Sequence, residues 1–206
     1  MRILQMIVLL TGLTLLMGCG SQNKIVTKYY VIAAPDSMEY VINRKLPILE
    51  GYCEIAPVKV YPAYDSQKIV SKSNSHEIVY YRYHQWAQRP DEAFFLMLEV
   101  YFSNTSVFKG VSSRYWRIDP AYKLMASVRQ LEIIQENKHV SAHLSVEFKL
   151  VSNETKELLI THQANRFKPL KKNDLNLFTK AIGELFYDEL NVFSEAIVKQ
   201  VSDDNQ

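Results

Sequence analysis

The chain has 206 residues, of which 48% are hydrophobic and 22% are charged, and this ordinary globular composition excludes a wholly disordered chain. Lysine and arginine number 24 against 22 aspartate and glutamate residues, and the resulting net charge of +2 gives no support for a nucleic-acid-binding protein. Two cysteines are too few for a disulfide framework.

The first residues have the layout of a secretory signal peptide. Arg2 is followed by an uncharged, mostly apolar segment over residues 3–17, and small residues come directly after it. The alternative is a membrane-spanning helix that stays attached. Such a helix needs about 20 apolar residues, and the polar residues 20–24 end this segment too early. We therefore predict a signal peptide over residues 1–18.

The first half of the remaining chain is rich in strand-forming residues. Pro57 interrupts one of the predicted strands, because proline lacks the N–H group that a strand ladder needs. The pattern predicts, in order, strands at 29–33 and 53–60, at most a short strand at 67–70, a polar turn at 71–76 and a strongly aromatic strand at 77–86.

A helix is predicted to begin at Pro90 and to end at Asn104. Proline is tolerated in the first turn of a helix, where its missing donor would have no partner. Asp91 and Glu92 follow it and lie at the positive end of the helix dipole. The apolar side of this helix is formed by Phe94, Met97, Leu98 and Tyr101, which recur at helical spacing.

Three antiparallel strands are predicted over residues 114–168. Apolar residues alternate from Leu124 to Val128 and continue one position out of phase from Leu131, which indicates a β-bulge near Gln130. The next alternation, over residues 140–150, has no error and is typical of a strand with one wet face.

The last predicted element is a helix that Asn173 or Asp174 can cap and that runs to about residue 201. One side of it is apolar and consists of Leu175, Phe178, Ile182, Leu185, Phe186, Phe193, Ile197 and Val201, with Leu190 at the margin. The elements together predict an α+β fold with a single, mostly antiparallel sheet and two main helices packed on one face. We expect one domain over residues 29–206, preceded by a lipidated polar tether over residues 19–28.

The histidine and cysteine residues, which could bind a metal or act in catalysis, form no strong motif. His139 and His143 are four apart, but on a strand they lie about 13 Å apart and cannot share a zinc ion without a sharp bend. Cys53 is either a nucleophile or, as is more usual for a lone cysteine among apolar residues, a small buried hydrophobe. We expect no metal, no cofactor and no catalytic residue.

Aromatic residues are dense in the strand at 77–86. Tyr81 and Tyr83 share one face of that strand, and Tyr80 points the other way. Packing within the sheet is the simpler explanation for Tyr80, Tyr81, Tyr83 and Trp86, since aromatic residues favour strands. The alternative is an exposed row that contacts protein or lipid.

The end of the signal resembles the lipobox of bacterial lipoproteins. The sequence LMGC at residues 16–19 closes the apolar segment at the distance that is usual in that class. The resemblance implies that the signal is removed before Cys19, that the thiol of Cys19 receives a diacylglyceryl group and that its new amine is acylated. In enteric-type bacteria an aspartate after the cysteine retains a lipoprotein in the inner membrane, so Gly20 implies sorting to the outer membrane.

Several sequence strings resemble the ABC-type transport auxiliary lipoprotein family. They are YYVI at residues 29–32, IAPVKVYPAY at 55–64 and QKIV at 67–70. The most specific is HQWAQRPDEA at residues 84–93, which is similar to the family's junction between a strand and a helix. By this resemblance, Trp86 and Pro90 are positions that define the fold. A departure is the aromatic-rich FFLM at residues 94–97, where smaller residues are expected.

The resemblance implies a non-enzymatic lipoprotein subunit of an Mce-type system, which moves lipids or other apolar molecules between the inner and outer membranes. Its implied partners are an Mce-domain periplasmic protein and the components of an inner-membrane ABC transporter, with assembly of several copies left open. Two alternatives remain. One is a lipoprotein that regulates cell-wall synthesis or outer-membrane assembly, and the other is a periplasmic enzyme that uses Cys53.

Overall fold

The computed structural model describes residues 26–35, 47–74, 76–137 and 139–204. Within these ranges the chain forms nine strands and two helices, α1 (Pro90–Asn104) and α2 (Leu175–Asp204). The strands are β1 (Lys28–Tyr30), β2 (Leu49–Ile55), β3 (Lys59–Val60), β4 (Lys68–Asn74), β5 (Glu77–Trp86), β6 (Phe108–Ser112), β7 (Tyr122–Glu136), β8 (His139–Ser152) and β9 (Leu158–Leu170). Among the described residues, no helix is long and apolar enough to cross a membrane.

All nine strands join in one mixed sheet with the long β7 at its centre. One edge of β7 pairs with β8 in antiparallel fashion, and β8 pairs with β9 in the same way. The other edge of β7 pairs in parallel with β2, β3 and β4, which follow one another along it. Beyond them, β6 lies parallel to β2, β5 lies antiparallel to β4, and β1 lies parallel to β5.

The expectation of a mostly antiparallel sheet is therefore only partly right. The antiparallel β7–β8–β9 meander was predicted from local alternation and turn residues. The parallel pairs join segments that are far apart in the sequence: β3, β4, β5 and α1 intervene between β2 and its partner β6. Such pairing depends on crossovers that local patterns do not reveal.

Element bounds agree well with the sequence predictions in the long elements and less well in the short ones. The strand at 77–86 is confirmed, and the register of β7 shifts between Val128 and Gln130, which confirms the bulge. The predicted turn at 71–76 is wrong in most of its length, because β4 continues to Asn74. β6 was not predicted, and the strand expected from residue 114 begins only at Tyr122.

Both helices begin where the sequence predicts. Pro90 occupies the first turn of α1, and its apolar side is buried as expected. At α2 the carboxylate of Asp174 accepts hydrogen bonds from the backbone N–H groups of Asn176 (2.8 Å) and Leu177 (3.4 Å), which is a helix cap. α2 extends to Asp204, a few residues beyond the predicted end.

The two helices cover the same face of the sheet, here called the core face. Phe148 of β8 packs against Phe186 and Phe193 of α2, with ring centroids 5.6 and 5.4 Å apart. Phe94 of α1 contacts Phe186 in turn at 4.7 Å, so the helices also pack against each other. The opposite surface of the sheet is called the open face below.

Candidate functional site

Cys19, the predicted lipidation site, lies outside the described residues, and its acylation stays a prediction. The first described residue is Val26, and β1 begins two residues later. The structure does place the two other predicted positions, Trp86 and Pro90, which lie on either side of a short connection between β5 and α1.

Trp86 joins three parts of the fold. Its side chain is buried on the core face, and its ring centroid lies 5.8 Å from that of Phe178 in α2. Its backbone N–H donates to the carbonyl of Gln67, and the N–H of Ala87 donates to the carbonyl of Tyr30, each with an N···O distance of 2.7 Å. This position therefore connects the end of β5 with β1, with the segment before β4 and with α2.

Pro90 is buried at the start of α1, where the preceding residue, Arg89, provides no side-chain cap. Arg89 instead forms ion pairs with Asp65 and, over 3.2 Å, with Asp91 in the first helical turn. The pKa of the Arg89 side chain is raised, mainly by the hydrogen bond and the charge of Asp91 and to a smaller extent by Asp65. These exposed pairs orient the connection and add little to stability.

An apolar groove lies beside this connection. The groove has a volume of about 470 Å³, and its apolar wall consists of Ile55, Pro57, Val58, Phe95 and Leu96. Gln88, Asp91, Glu92 and Ser113 form the polar part of the lining. Its size falls in the range of ligand and side-chain pockets.

The groove arises from a gap in the outer row of strands. β6 ends at Ser112 opposite Glu54, and the β4–β5 pair starts at Lys68 opposite Gln85. The intervening β3 pairs only with β7 among the described strands. The first turns of α1 lie over this gap, and they supply Phe95 and Leu96 to the groove.

The sequence contained one signal for this groove, the unexpected FFLM at residues 94–97. Phe94 and Met97 are buried in the core, whereas Leu96 is 48% exposed and Phe95 lines the groove with it. The four residues thus serve two surfaces, and the surplus of apolar residues at this helix start is explained by the second surface.

The open face carries a polar cluster in which Tyr64, Glu132 and His143 are buried and Asn165 is exposed. The Tyr64 hydroxyl donates to Oε2 of Glu132 (2.7 Å), and Nδ1 of His143 donates to Oε1 of the same carboxylate (3.0 Å). Nε2 of His143 lies 2.6 Å from Oδ1 of Asn165, and the ring of Phe167 stacks on the imidazole at 4.1 Å. Each of the two carboxylate oxygens of Glu132 thus accepts a hydrogen bond.

The electrostatics of the cluster follow from this geometry. Burial acts to raise the pKa of Glu132, but hydrogen bonds from His143 and Tyr64 outweigh it, so that the pKa is lowered. Burial, followed by the hydrogen bond to Glu132, raises the pKa of Tyr64. The carboxylate is thus ionised and the phenol is neutral at neutral pH, an arrangement that stabilises the sheet.

A second ionic contact on the open face lies at the bulge of β7. The bulge residue Arg129 forms an ion pair with Glu147 (3.1 Å), and Lys149 approaches the same carboxylate (3.2 Å). Burial acts to raise the pKa of Glu147, but hydrogen bonds from Gln163, Lys149 and Arg129 lower it. The sequence pattern revealed the bulge but not that it carries a partner for Glu147.

The other candidate residues are not brought together. His139 and His143 both lie on β8, as predicted, but His139 is exposed while His143 is buried against Glu132. Within the described ranges no three histidine, cysteine or acidic side chains are placed to hold a metal ion. Cys53 is fully buried in the core, and burial raises the pKa of its thiol well above the usual range.

Comparison with solved structures supports the fold. The protein XCC0632 from Xanthomonas campestris matches with a TM-score of 0.71 at 16% identity, over 87% of this chain and 99% of that one. A second structure, of an uncharacterized protein, matches with a TM-score of 0.62 at 15% identity, over 85% of this chain and 99% of that one. At such identities the likeness shows a shared fold alone.

Sequence comparison identifies the family. No curated protein matches the chain significantly. The model of the ABC-type transport auxiliary lipoprotein component family matches residues 30–186, which is most of the chain and includes both Trp86 and Pro90. The chain therefore belongs to the ABC-type transport auxiliary lipoprotein component family.

Proposed function

We propose that this chain is an outer-membrane lipoprotein, acylated at Cys19, that serves as a non-enzymatic auxiliary subunit of an Mce-type ABC transport system. Such a system moves lipids or other apolar molecules between the inner and outer membranes. The observation that carries the proposal is the family match over residues 30–186, preceded in the sequence by LMGC at residues 16–19.

The anchor holds the domain at one membrane. Each buried CH₂ group contributes roughly 0.8 kcal/mol, so more than one acyl chain gives stable attachment without any further contact. Seven residue steps separate Cys19 from Val26, and an extended chain of that length spans at most about 25 Å. The tether thus confines the domain near the bilayer and raises its effective concentration for a partner there.

The groove beside α1 is the surface at which the domain meets its partner. Its lining combines apolar side chains with a few polar ones, which is a composition that protein-binding hot spots share. The partner is the Mce-domain periplasmic protein, which contributes apolar side chains to the groove. Trp86 and Pro90 act indirectly, because they fix the start of α1 and therefore the position of Phe95 and Leu96.

Site-specific photo-crosslinking in cells tests this proposal. A photoreactive amino acid is placed at position 96 and, as a matched control, at position 192, since Leu96 and Val192 are 48% and 46% exposed on helix surfaces. The expected product joins position 96, but not position 192, to an Mce-domain protein encoded near the transporter. The Cys19→Ser variant should lose the product because it is no longer confined to the membrane.

The outcomes separate the parts of the proposal. A product from position 192 in place of position 96 would refute the groove as the docking surface and leave the transport function standing. Recovery of a cell-wall synthesis or outer-membrane assembly protein in place of any transport component would favour the alternative function. The absence of transport components at both positions would contradict the proposal.

A further inference from the structure

Exposed tyrosines are concentrated at one corner of the open face. We name Tyr29, Val31, Tyr80 and Tyr83 the tyrosine patch. Its members lie on or directly after β1 or on β5. Tyr29 is 62% exposed, Tyr80 is 40% exposed and Tyr83 is 39% exposed, which is more than interior packing of aromatic residues leaves.

The strand register shows on which face three of the tyrosines lie. Tyr30 is opposite Trp86, which packs on α2, so the adjacent Tyr29 belongs to the open face. Tyr80 is opposite Val70, which in turn is opposite Glu132 in the polar cluster of the open face. Tyr83 comes two residues before Gln85, which is opposite Tyr29, so alternation places it on the face of Tyr29. Tyr81 instead donates from its hydroxyl to Asn173 just before α2, because the register of β5 against β4 shifts between Tyr80 and Gln85 and interrupts the expected alternation of Tyr81 and Tyr83.

The patch is framed by basic side chains. Nζ of Lys68 lies 5.3 Å from the ring centroid of Tyr80, and Arg82 is exposed next to Tyr83. Lys28 is exposed next to Tyr29 on the edge strand β1, although its register opposite His84 directs it to the other face. Glu77, at the start of β5, is the exposed acidic residue of that strand. Tyrosine next to lysine and arginine is the composition found at membrane–water interfaces, where the ring meets the headgroup region and the cation meets phosphate.

The tether ends at this patch. Tyr29 follows Val26 by three residues, and Val26 is held within about 25 Å of the acylated Cys19. The surfaces that can rest on the bilayer are those close to this point. Leu158, which is also exposed, is opposite Val151 and, through it, Lys123, and so lies toward the opposite end of the sheet. Trp116, the most exposed of these side chains, lies in the segment that leads into the same end of β7 at Tyr122.

We propose that the tyrosine patch rests on the phospholipid bilayer that holds the acyl chains, with its tyrosine rings at the headgroup level and its basic side chains on anionic lipid. The patch fixes the orientation of the domain, so that α1 and its groove point away from the membrane. This inference rests on the acylation of Cys19 in the proposed function, but it does not require a transport partner.

Nitroxide scanning of the mature, acylated protein tests the orientation. Single cysteines replace Tyr29 or Tyr83 and, as controls, Trp116 or Leu158; the buried Cys53 and the acylated Cys19 do not take the label. The probe membrane is a vesicle that mixes zwitterionic and anionic phospholipid. Mass measurement of the N-terminal peptide first confirms acylation, so a failure of lipidation is seen separately from a failure of contact.

The expected result is a several-fold lower collision rate with a water-soluble nickel chelate at positions 29 and 83 than at positions 116 and 158, together with higher access to lipid-soluble oxygen. Equal access of all four labels to the nickel chelate would overturn the proposal. Protection of positions 29 and 83 from both quenchers would also overturn it, because that pattern indicates contact with a second copy of the chain instead of lipid.

Discussion

The two faces of the sheet are both buried along β8, but different interactions bury them. The residues on the core face are Ala142, Leu144, Val146, Phe148 and Leu150. This face packs against α2, whose Phe186 contacts both Phe148 and Phe94 of α1. Between the core-face residues, His143, Ser145 and Glu147 point to the open face and are also buried. The sequence alternation predicted a wet face there, and this expectation is wrong for the centre of the strand.

This difference shows that a polar face need not be a solvated face. On the core face, stabilisation comes from removal of apolar area from water, which needs no particular orientation. On the open face, the buried groups are tolerated because hydrogen bonds or ion pairs satisfy them, as in the polar cluster. The core face should therefore be sensitive to lost volume, and the open face to a lost partner.

A pair of phenylalanine substitutions gives the largest expected contrast. Phe186→Ala removes a fully buried ring that contacts both Phe94 and Phe148, and it should lower the free energy of unfolding by about 3–5 kcal/mol. Phe167→Ala removes an exposed ring that stacks on His143, and it should cost about 0.5–1.5 kcal/mol. Denaturant unfolding of both variants measures the difference, and equal losses would contradict the assignment of the core to one face.

Removal of one partner in the polar cluster should have the next largest effect. His143→Leu leaves the carboxylate of Glu132 with fewer donors and should cost about 1.5–3 kcal/mol of unfolding free energy. The double variant His143→Leu with Glu132→Leu should recover part of that loss, because no buried charge is left without its partner. If the two single losses simply add in the double variant, the cluster is not acting as a unit.

The pH dependence of stability should distinguish Glu132 from its surroundings. Its pKa is lowered in the folded state, so its contribution is present above the unfolded value of about 4.3 and is lost as the pH falls through the folded value. Glu132→Gln should thus be less stable than the parent at neutral pH and should lose less stability on acidification to about pH 3. Parallel acid-unfolding curves for the two proteins would contradict this role.

Cys53 should show the smallest effect, which is no reaction in the folded protein. Its thiol is fully buried on the core side of β2, and its pKa is raised by burial. An alkylating reagent at neutral pH should modify it only after unfolding by denaturant. Rapid modification of the native protein would reopen the enzyme alternative, since Cys53 is its only named nucleophile.

The sequence predicted those elements whose signals are local. Pro90 and Asp174 determine helix starts by backbone chemistry, and the change of phase after Val128 reveals the bulge. The parallel pairing of β2, β3 and β4 with β7 could not be predicted, because it joins distant segments without a turn signal. The polar cluster was hidden for the same reason, since Glu132 and Tyr64 are 68 positions apart.

The surfaces were predicted in part. The aromatic density of β5 suggested either packing or an exposed row, and the structure divides the residues between the two: Trp86 is buried, whereas Tyr80 and Tyr83 stay exposed. The groove was visible only as an excess of apolar residues at 94–97. The groove depends on where β6 ends, and no local pattern in the sequence indicates β6.

The lipid anchor is the claim on which the functional account depends most directly. The decisive measurement is the mass of the N-terminal peptide of the protein purified from its native membrane. We predict a chain that begins at Cys19 and carries a diacylglyceryl group on its sulfur and an acyl group on its amine. A chain that retains residues 1–18, or one that has an unmodified thiol at Cys19, would contradict it.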